Sequence, residues 1–310
     1  MSRLVVALGG NALLRRGEPG SMAVQRHNLV GAAEALAAVA VRDGELVVTH
    51  GNGPQVGFLS IEAEVAADVV PVPPLDVLGA ESQGQIGYLL AQALLPALRA
   101  RGDGRDVAVV LTQTVVDRAD PAFEHPTKPV GPTYDEATAR RLAAERGWSI
   151  ALDGDRWRRV VPSPRPVRLI EAEPIRRLVE TGCLVVAAGG GGVPVADLGG
   201  GRLEGLEAVV DKDFAAVVLG RAVEADGLLL LTDVDAVYRG FGSPGAERVA
   251  SLSLAEAEAG LAEGRWPAGS MGPKVEACTS FIRAGGRFAA IGALERAVDI
   301  LDGRSGTRIE

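Results

Sequence analysis

Three lysines stand out in a chain whose other cations are mostly arginine: Lys128 in HPTKP, Lys212 in VDKD and Lys274 in GSMGPK. Each lies in a turn built from Gly, Pro or Asp. Lysine is a compact point charge on a flexible stem, suited to a phosphoryl group that changes position during a reaction. A single loop lysine is ordinarily a solvated surface charge. Three of them, each at a candidate ligand loop, point to an anionic substrate. Asp211 and Asp213 flank Lys212. Asp213 is the stronger candidate to orient the lysines, although an acidic residue at a helix start also reads as a dipole-matched cap.

Four glycine turns accompany the lysines: Gly9-Gly10 followed by Asn11, Gly51-Asn52-Gly53, the run 189–192 that includes Gly190 and Gly191, and 269–272. Glycine lets the backbone turn sharply at a strand end and expose its N–H groups, which can hold an anion. Taken alone, Gly-Gly is no more than a tight turn. Four such turns exceed what chain reversal needs and suggest a substrate carrying several phosphates or carboxylates.

Other anion-binding chemistries are absent. No G-x-x-x-x-G-K-[ST] segment exists, nor do the H-R-D and D-F-G signatures of protein kinases. Residues 51–57, GNGPQVG, pass for a relaxed dinucleotide fingerprint, but the acidic residue expected after the next strand is missing. His27, His50 and His125 show no metal spacing. His50, at a strand end, reads as a hydrogen-bonded loop residue rather than a base. Cys183 and Cys278 have apolar neighbours and read as buried free thiols of a reducing compartment, the cytoplasm.

The elements that must carry these turns follow from apolar runs and their punctuation. LVVAL at 4–8 is a strand apolar on both faces. Further strands are expected at 45–49, 107–112, 184–188, 227–231, 288–291 and 307–309. Helices are expected at 22–42, 58–67, 81–101, 135–146, 173–181, 209–220, 253–263, 274–284 and 294–301. Strand, glycine turn and helix recur, which is the βα unit of a parallel sheet. Between 116 and 167 the texture changes to prolines, aromatics and clustered arginines. A connection that long is uncommon unless functional, so 117–167 reads as an inserted, protruding lid subdomain. The expected fold is α/β: a three-layer α/β/α sandwich around a mostly parallel open sheet.

With 310 residues, 47% of them hydrophobic, the chain can bury a large core. Its net charge of -8 argues against nucleic acid and anionic membrane as partners, and no apolar run is long enough to span a bilayer.

Eight segments, LVVALGGNAL, VVTHGNGPQVG, HPTKPVGPTYDEA, DRWRRVVPSP, VVAAGGGGVPV, LEAVVDKDFA, LLTDVDAVY and GSMGPKVEA, resemble those of the carbamate kinases, which have the amino-acid-kinase fold. The likeness runs from the first strand to Gly306-Thr307-Arg308-Ile309. Related acid kinases such as acetylglutamate kinase carry a lysine just before the first Gly-Gly; this chain has Ala7-Leu8 there, as carbamate kinases do.

The resemblance implies reversible transfer of phosphate between ATP and carbamate, run toward ATP synthesis in arginine (deiminase pathway) catabolism. It implies that backbone groups of Gly9, Gly10, Asn11, Gly51, Asn52 and Gly53, with Gly190 and Gly191, hold carbamate and the phosphoryl group. Lys128 would reach in from the lid, and Lys212 and Lys274 would neutralise charge beside Asp213 and Asp211. Thr232, Asp233, Val237, Tyr238, Gly269, Met271, Gly272 and Lys274 would line the nucleotide pocket. Mg²⁺ would bridge the phosphates with few protein ligands and no dedicated metal site. The single domain, 1–310, would divide into a carbamate and phosphoryl half, 1–185, and a nucleotide half, 186–310. The expected assembly is a homodimer, with apolar Ile86, Leu89, Leu90, Ala93 and Leu94 of the helix at 81–101 as its source of contact. The alternatives are another kinase of this fold acting on a small carboxylate or phosphorylated metabolite, and a non-catalytic nucleotide sensor. Loss of one of the three lysines would favour the sensor, and none is lost.

Overall fold

The structure, a computed structural model, describes residues 2–15, 17–267 and 271–310. The chain opens with β1 (Ser2–Leu8), α1 (Met22–Asp43), β2 (Gly44–His50), α2 (Gly53–Val65) and α3 (Leu75–Ala100). It continues through β3 (Val107–Val110), β4 (Gln113–Val116), β5 (Lys128–Tyr134), α4 (Glu136–Arg146), β6 (Ser149–Asp153), β7 (Arg156–Val161) and β8 (Pro166–Leu169). Then come α5 (Ala172–Glu180), β9 (Leu184–Ala187), β10 (Val193–Asp197), β11 (Leu203–Gly205), α6 (Lys212–Ala222) and β12 (Gly227–Thr232). The last elements are β13 (Val237–Arg239), β14 (Glu247–Val249), β15 (Ser251–Leu252), α7 (Leu254–Ala262), α8 (Met271–Arg283), β16 (Phe288–Ala293), α9 (Ala297–Leu301) and β17 (Thr307–Ile309).

An eight-stranded sheet, ordered β15-β17-β16-β12-β1-β2-β9-β3, forms the middle layer and is parallel except where β17 meets β16. Side chains alternate across a strand, and the apolar runs divide accordingly. Val5, Ala7, Val47, Val185, Leu228 and Leu230 bury one face with α5, α6, α7 and α8. Leu4, Val6, Leu8, Val48, Leu229 and Leu231 bury the other with α1, α3 and α9. The three-layer α/β/α sandwich is therefore the observed fold.

Register brings the strand ends together. Leu8 pairs with His50 on one side and Leu231 on the other. The N–H of Gly9 donates to Leu231 O at 2.8 Å, and that of Gly51 to Leu8 O at 3.0 Å. The turns after β1, β2 and β12 thus share one carboxyl edge, where ligands of open α/β sheets sit.

Several element bounds differ from the sequence expectation. The strand expected at 107–112 stops at Val110, and β4 starts a second sheet with β8, β10 and β11. The break is at Thr112, whose N–H donates to Gln83 Oε1 and whose carbonyl accepts from Gln83 Nε2, both at 3.0 Å. A side chain of α3 thus holds both backbone groups of Thr112, and the Thr112 carbonyl also accepts the N–H of Val193 at 2.9 Å, which hands the chain to the second sheet. Helix α2 starts at Gly53, five residues early, because Pro54 at its first turn is preset for helix. Helix α3 starts at Leu75, after Pro74. Helix α6 starts at Lys212 rather than 209, since Asp211 caps it through Asp213 N–H. Cys278 is buried as expected, whereas Cys183 is half-exposed.

Within 117–167, β5, β7 and β6 form a three-stranded antiparallel sheet with α4 beside it. The two stems of this segment, β4 and β8, pair antiparallel, Thr114 opposite Leu169.

Candidate active site

A cavity of about 660 Å³ opens at the carboxyl edge of the main sheet. Gly9, Gly10, Lys212, Thr232, Asp233 and Lys274 line it, as do Arg15, Asn28, Pro54 and Glu295. Lys212 Nζ donates to Asp213 Oδ1 at 2.7 Å, and Lys274 Nζ donates to Asp213 Oδ2 at 2.8 Å. Lys128 Nζ, arriving from β5, donates to Asp211 Oδ2 at 2.8 Å. Asp211 Oδ1 accepts the N–H of Asp213 at 2.9 Å. The three lysines, the only ones in the chain, thus gather on two aspartates two residues apart.

Burial sets the charge states. Desolvation works against an ionised Asp213, but the Lys212 and Lys274 ammonium groups outweigh it and hold its pKa at about 2. Burial pulls Lys212 below the ordinary lysine value, and the neighbouring Lys274 charge adds to that against the attraction of Asp213. For Lys274, burial is outweighed by Asp213 and the pKa rises. His50 is buried, its Nδ1 2.9 Å from Gly51 O, and desolvation takes its pKa to about 4. A neutral imidazole that deep in the fold is not a base facing the cavity.

The glycines divide into two kinds. Gly9 and Gly10 line the cavity. At Gly51 a Cβ would lie 3.3 Å from Gly10 N and 3.5 Å from Lys212 Cδ, so the two turns and the lysine stem are in contact. Gly190 (φ +65°) and Gly191 (φ +93°) do not line it. A Cβ on Gly190 would lie 2.1 Å from Asn52 Nδ2, and one on Gly191 would lie 2.2 Å from Val210 O. These glycines permit close approach to the two segments that do reach the site. Asn52 is braced by Ser82, Nδ2 to Oγ at 2.8 Å. Gly53 opens α2, and the backbone of Asn11 lies in the turn after β1.

Of the residues expected to line a nucleotide pocket, Thr232, the last of β12, and Asp233 after it reach the cavity, Thr232 Oγ1 donating to Asp233 Oδ1 at 3.0 Å. Val237 does not reach it. Its side chain is in the core, and its N–H donates to Thr307 Oγ1 at 2.8 Å. Tyr238 also lies off the cavity wall, its hydroxyl donating to Asp235 at 3.0 Å. Met271 packs on the core and Gly272 is buried, its N–H donating to Pro267 O at 2.9 Å. Gly269 lies outside the described residues.

Sequence reasoning passed over Arg15, Asn28 and Glu295. Asn28 Nδ2 donates to Glu18 Oε2 at 2.6 Å and to Leu13 O at 3.2 Å, tying α1 to the loop that carries Arg15. A polar residue beside Leu29 on the inward face of α1 was the one available signal.

The amino acid kinase family model matches residues 2–292. A carbamate kinase of Pyrococcus horikoshii is 49% identical over 310 residues, spanning 99% of this chain and 98% of the relative. One from Halobacterium salinarum is 50% identical, spanning 100% and 98%. The chain belongs to the carbamate kinases of the amino acid kinase family. A solved carbamate kinase from Giardia lamblia, bound to AMP-PNP, superposes with a TM-score of 0.93 at 40% identity, covering 99% of this chain and 98% of that one. A carbamate kinase is an enzyme of phosphoryl transfer, and in this chain every lysine converges on one acidic turn.

Proposed function

We propose that this carbamate kinase interconverts carbamoyl phosphate plus ADP and carbamate plus ATP, run toward ATP synthesis in arginine catabolism in the cytoplasm. The observation that carries the reading is the cluster of Lys128, Lys212 and Lys274 on Asp211 and Asp213 at the glycine edge of the sheet.

Carbamate is an oxygen nucleophile that is already ionised, so its phosphorylation needs no general base. His50, buried and neutral, fits that requirement. What remains is in-line positioning and stabilisation of charge on the transferring group. The turns at Gly9-Gly10-Asn11 and Gly51-Asn52-Gly53 would hold carbamate and the phosphoryl group through their N–H groups. Lys212 and Lys274, held by Asp213, would lie along the path of transfer, and Lys128 would cover it from the lid at 117–167. Toward carbamoyl phosphate, the bond from phosphorus to the ADP β-phosphate oxygen breaks as that to the carbamate oxygen forms. The reverse direction releases carbamate, which breaks down to ammonia and carbon dioxide.

Residues 1–185 would serve carbamate and 186–310 the nucleotide. Binding of AMP-PNP by the Giardia relative supports a nucleotide in the cavity beside Thr232, Asp233 and Lys274. Magnesium fits here as a companion of the phosphates. Asp211 and Asp213 are engaged by ammonium groups, and no trio of His, Cys, Asp or Glu suited to a metal occurs among the described residues. Such an ion would add charge neutralisation and would take its ligands chiefly from water and phosphate rather than from these aspartates.

A coupled assay of ATP formation from carbamoyl phosphate and ADP tests the reading. Turnover with carbamoyl phosphate, and none with acetyl phosphate or acetylglutamyl phosphate at equal concentration, is expected. The reverse preference would move the enzyme to another acid kinase of the fold.

A further inference from the structure

The carboxylate of Asp211 has two duties that reach different parts of the molecule. Oδ1 caps α6 by accepting Asp213 N–H at 2.9 Å. Oδ2 accepts the ammonium of Lys128 at 2.8 Å, across 83 residues of sequence. Among the described residues no other hydrogen bond or ion pair engages the Lys128 ammonium. The pair is also the open one of the cluster. Side-chain exposure is 42% for Lys128 and 23% for Asp211, against 15% and 6% for the Lys212–Asp213 and Lys274–Asp213 pairs. An exposed pair is weak and reversible, whereas the two pairs on Asp213 are enclosed.

The lid is tied to the same helix at its base. Arg165, just past β7, stacks over the ring of Phe214 at 3.6 Å and pairs with Glu276 at 2.6 Å. Phe214 lies two residues after Lys212 on α6, and Glu276 two after Lys274 on α8. The lid therefore meets α6 and α8 through the Arg165 clasp and through Phe123, which packs with Val210 and Ala215, while Val130 and Val161 are buried with Val56 and Leu75. Within that frame the Lys128–Asp211 pair is the contact that places the ammonium.

We propose that Asp211 is the positioning residue of Lys128: it parks that ammonium beside the Lys212–Asp213–Lys274 trio before substrate arrives. It thereby fixes where that ammonium meets the phosphoryl group. An ammonium has three N–H donors. One is held by Asp211, which leaves two for phosphoryl oxygens. The cluster carries one positive charge in excess while the site is empty of substrate, so the arriving anion completes the neutralisation without the lysine having to let go. This inference rests on the phosphoryl-transfer reading for its consequence, not for its geometry.

Asp211→Asn separates the two duties, because Asn caps a helix as well as Asp does but offers Lys128 no charge. Hydrogen exchange of the whole enzyme without ligand is the primary readout. Loss of an exposed ion pair predicts about two- to fivefold faster exchange of the 128–134 and 156–161 amides, with the α6 amides unchanged. Lys128→Met should give the same acceleration, and the double variant no more than either alone. An Asp211→Asn lid that exchanges at the wild-type rate overturns the proposal. So does an acceleration that persists undiminished in the Lys128→Met background, which would mark a helix-cap effect. In the coupled assay, Asp211→Asn should lower kcat, and should do nothing further once Lys128 is Met. If the wild-type enzyme lacked that activity altogether, the function reading would fall while the exchange cycle still decided the role of Asp211.

Discussion

Two ammonium groups share the carboxylate of Asp213, and that sharing governs the titration of the site. Its pKa of about 2 lies below the ordinary 3.8. The resulting stabilisation is complete above the unfolded value and lost as pH falls through about 2, and amounts to roughly 2 kcal/mol. His50 acts earlier. Its folded pKa of about 4 lies below the ordinary 6.5, so as pH falls from 6.5 to 4 the unfolded chain takes up a proton that the native state refuses. That costs about 3 kcal/mol of stability over the window. Denaturant melts at intervals of half a pH unit should show the fall. His50→Gln should flatten the slope between pH 6.5 and 4, whatever its effect on stability at pH 7; an unchanged slope would assign the acid sensitivity elsewhere. A cation at a helix start is disfavoured by the dipole unless an anion stands near it. Lys274 does stand in the first turns of α8, and Asp213 supplies a protein anion there. Lys274→Ala should still cut turnover by ~10²-fold, the scale of one preorganised charge-stabilising donor, because Lys274 also lines the cavity. Full turnover in the steady-state assay would remove Lys274 from the mechanism. The lysines were legible in the sequence by type and turn context. The pairing of Lys128 with Asp211 was not, because no local pattern links residues 83 apart.

At the scale of elements, the apolar runs were enough to locate the parallel strands, since a strand buried on both faces has little freedom to be anything else. Turn chemistry was harder to read. The 189–192 run reads in sequence as an anion cradle, and in the structure each of its glycines also lies in close contact with another segment. Gly189 lies under the His50 ring, Gly190 under Asn52, Gly191 under Val210 and Gly192 under Thr114. Gly191→Ala makes the distinction measurable. The new methyl would meet the Val210 carbonyl at a backbone angle L-residues avoid, one residue before Asp211. A loss of about 2 kcal/mol or more in stability is expected. The displaced acidic turn should also lower turnover about tenfold or more, while binding of carbamoyl phosphate to the protein that remains folded changes little. A variant with normal stability and a selective loss of substrate binding would restore the cradle reading. The break at Thr112 was invisible for a related reason: it depends on residues of other elements, Gln83 binding the N–H and the carbonyl and Val193 sharing the carbonyl.

Assembly belongs to the whole molecule, and here the sequence nominated the wrong residues. Ile86, Leu89, Leu90 and Leu94 of α3 are buried against the sheet and α1, and Ala93 packs beside them. They have no surface to offer a partner. Helical periodicity alone does not say which apolar face looks inward. The outward face of α3 carries Val77, Tyr88 and Leu95, all exposed and spaced to fall in one line. Beside it runs β3, the edge strand of the main sheet, where Val109 is exposed and one of its methyl groups packs over Gly87. An apolar helix stripe next to an open strand edge is a surface that soluble chains ordinarily cover. A homodimer formed through α3 and β3 would bury both at once. Light scattering at micromolar protein should give twice the 32.0 kDa chain mass. Tyr88→Glu combined with Leu95→Glu would place two like charges on each side of that contact and should give a folded monomer. The active-site cavity lies at the carboxyl edge of the sheet, away from these residues, so the monomer should keep measurable turnover. A wild-type monomer would refute the assembly, and a double variant still dimeric would move the interface to another face of the molecule.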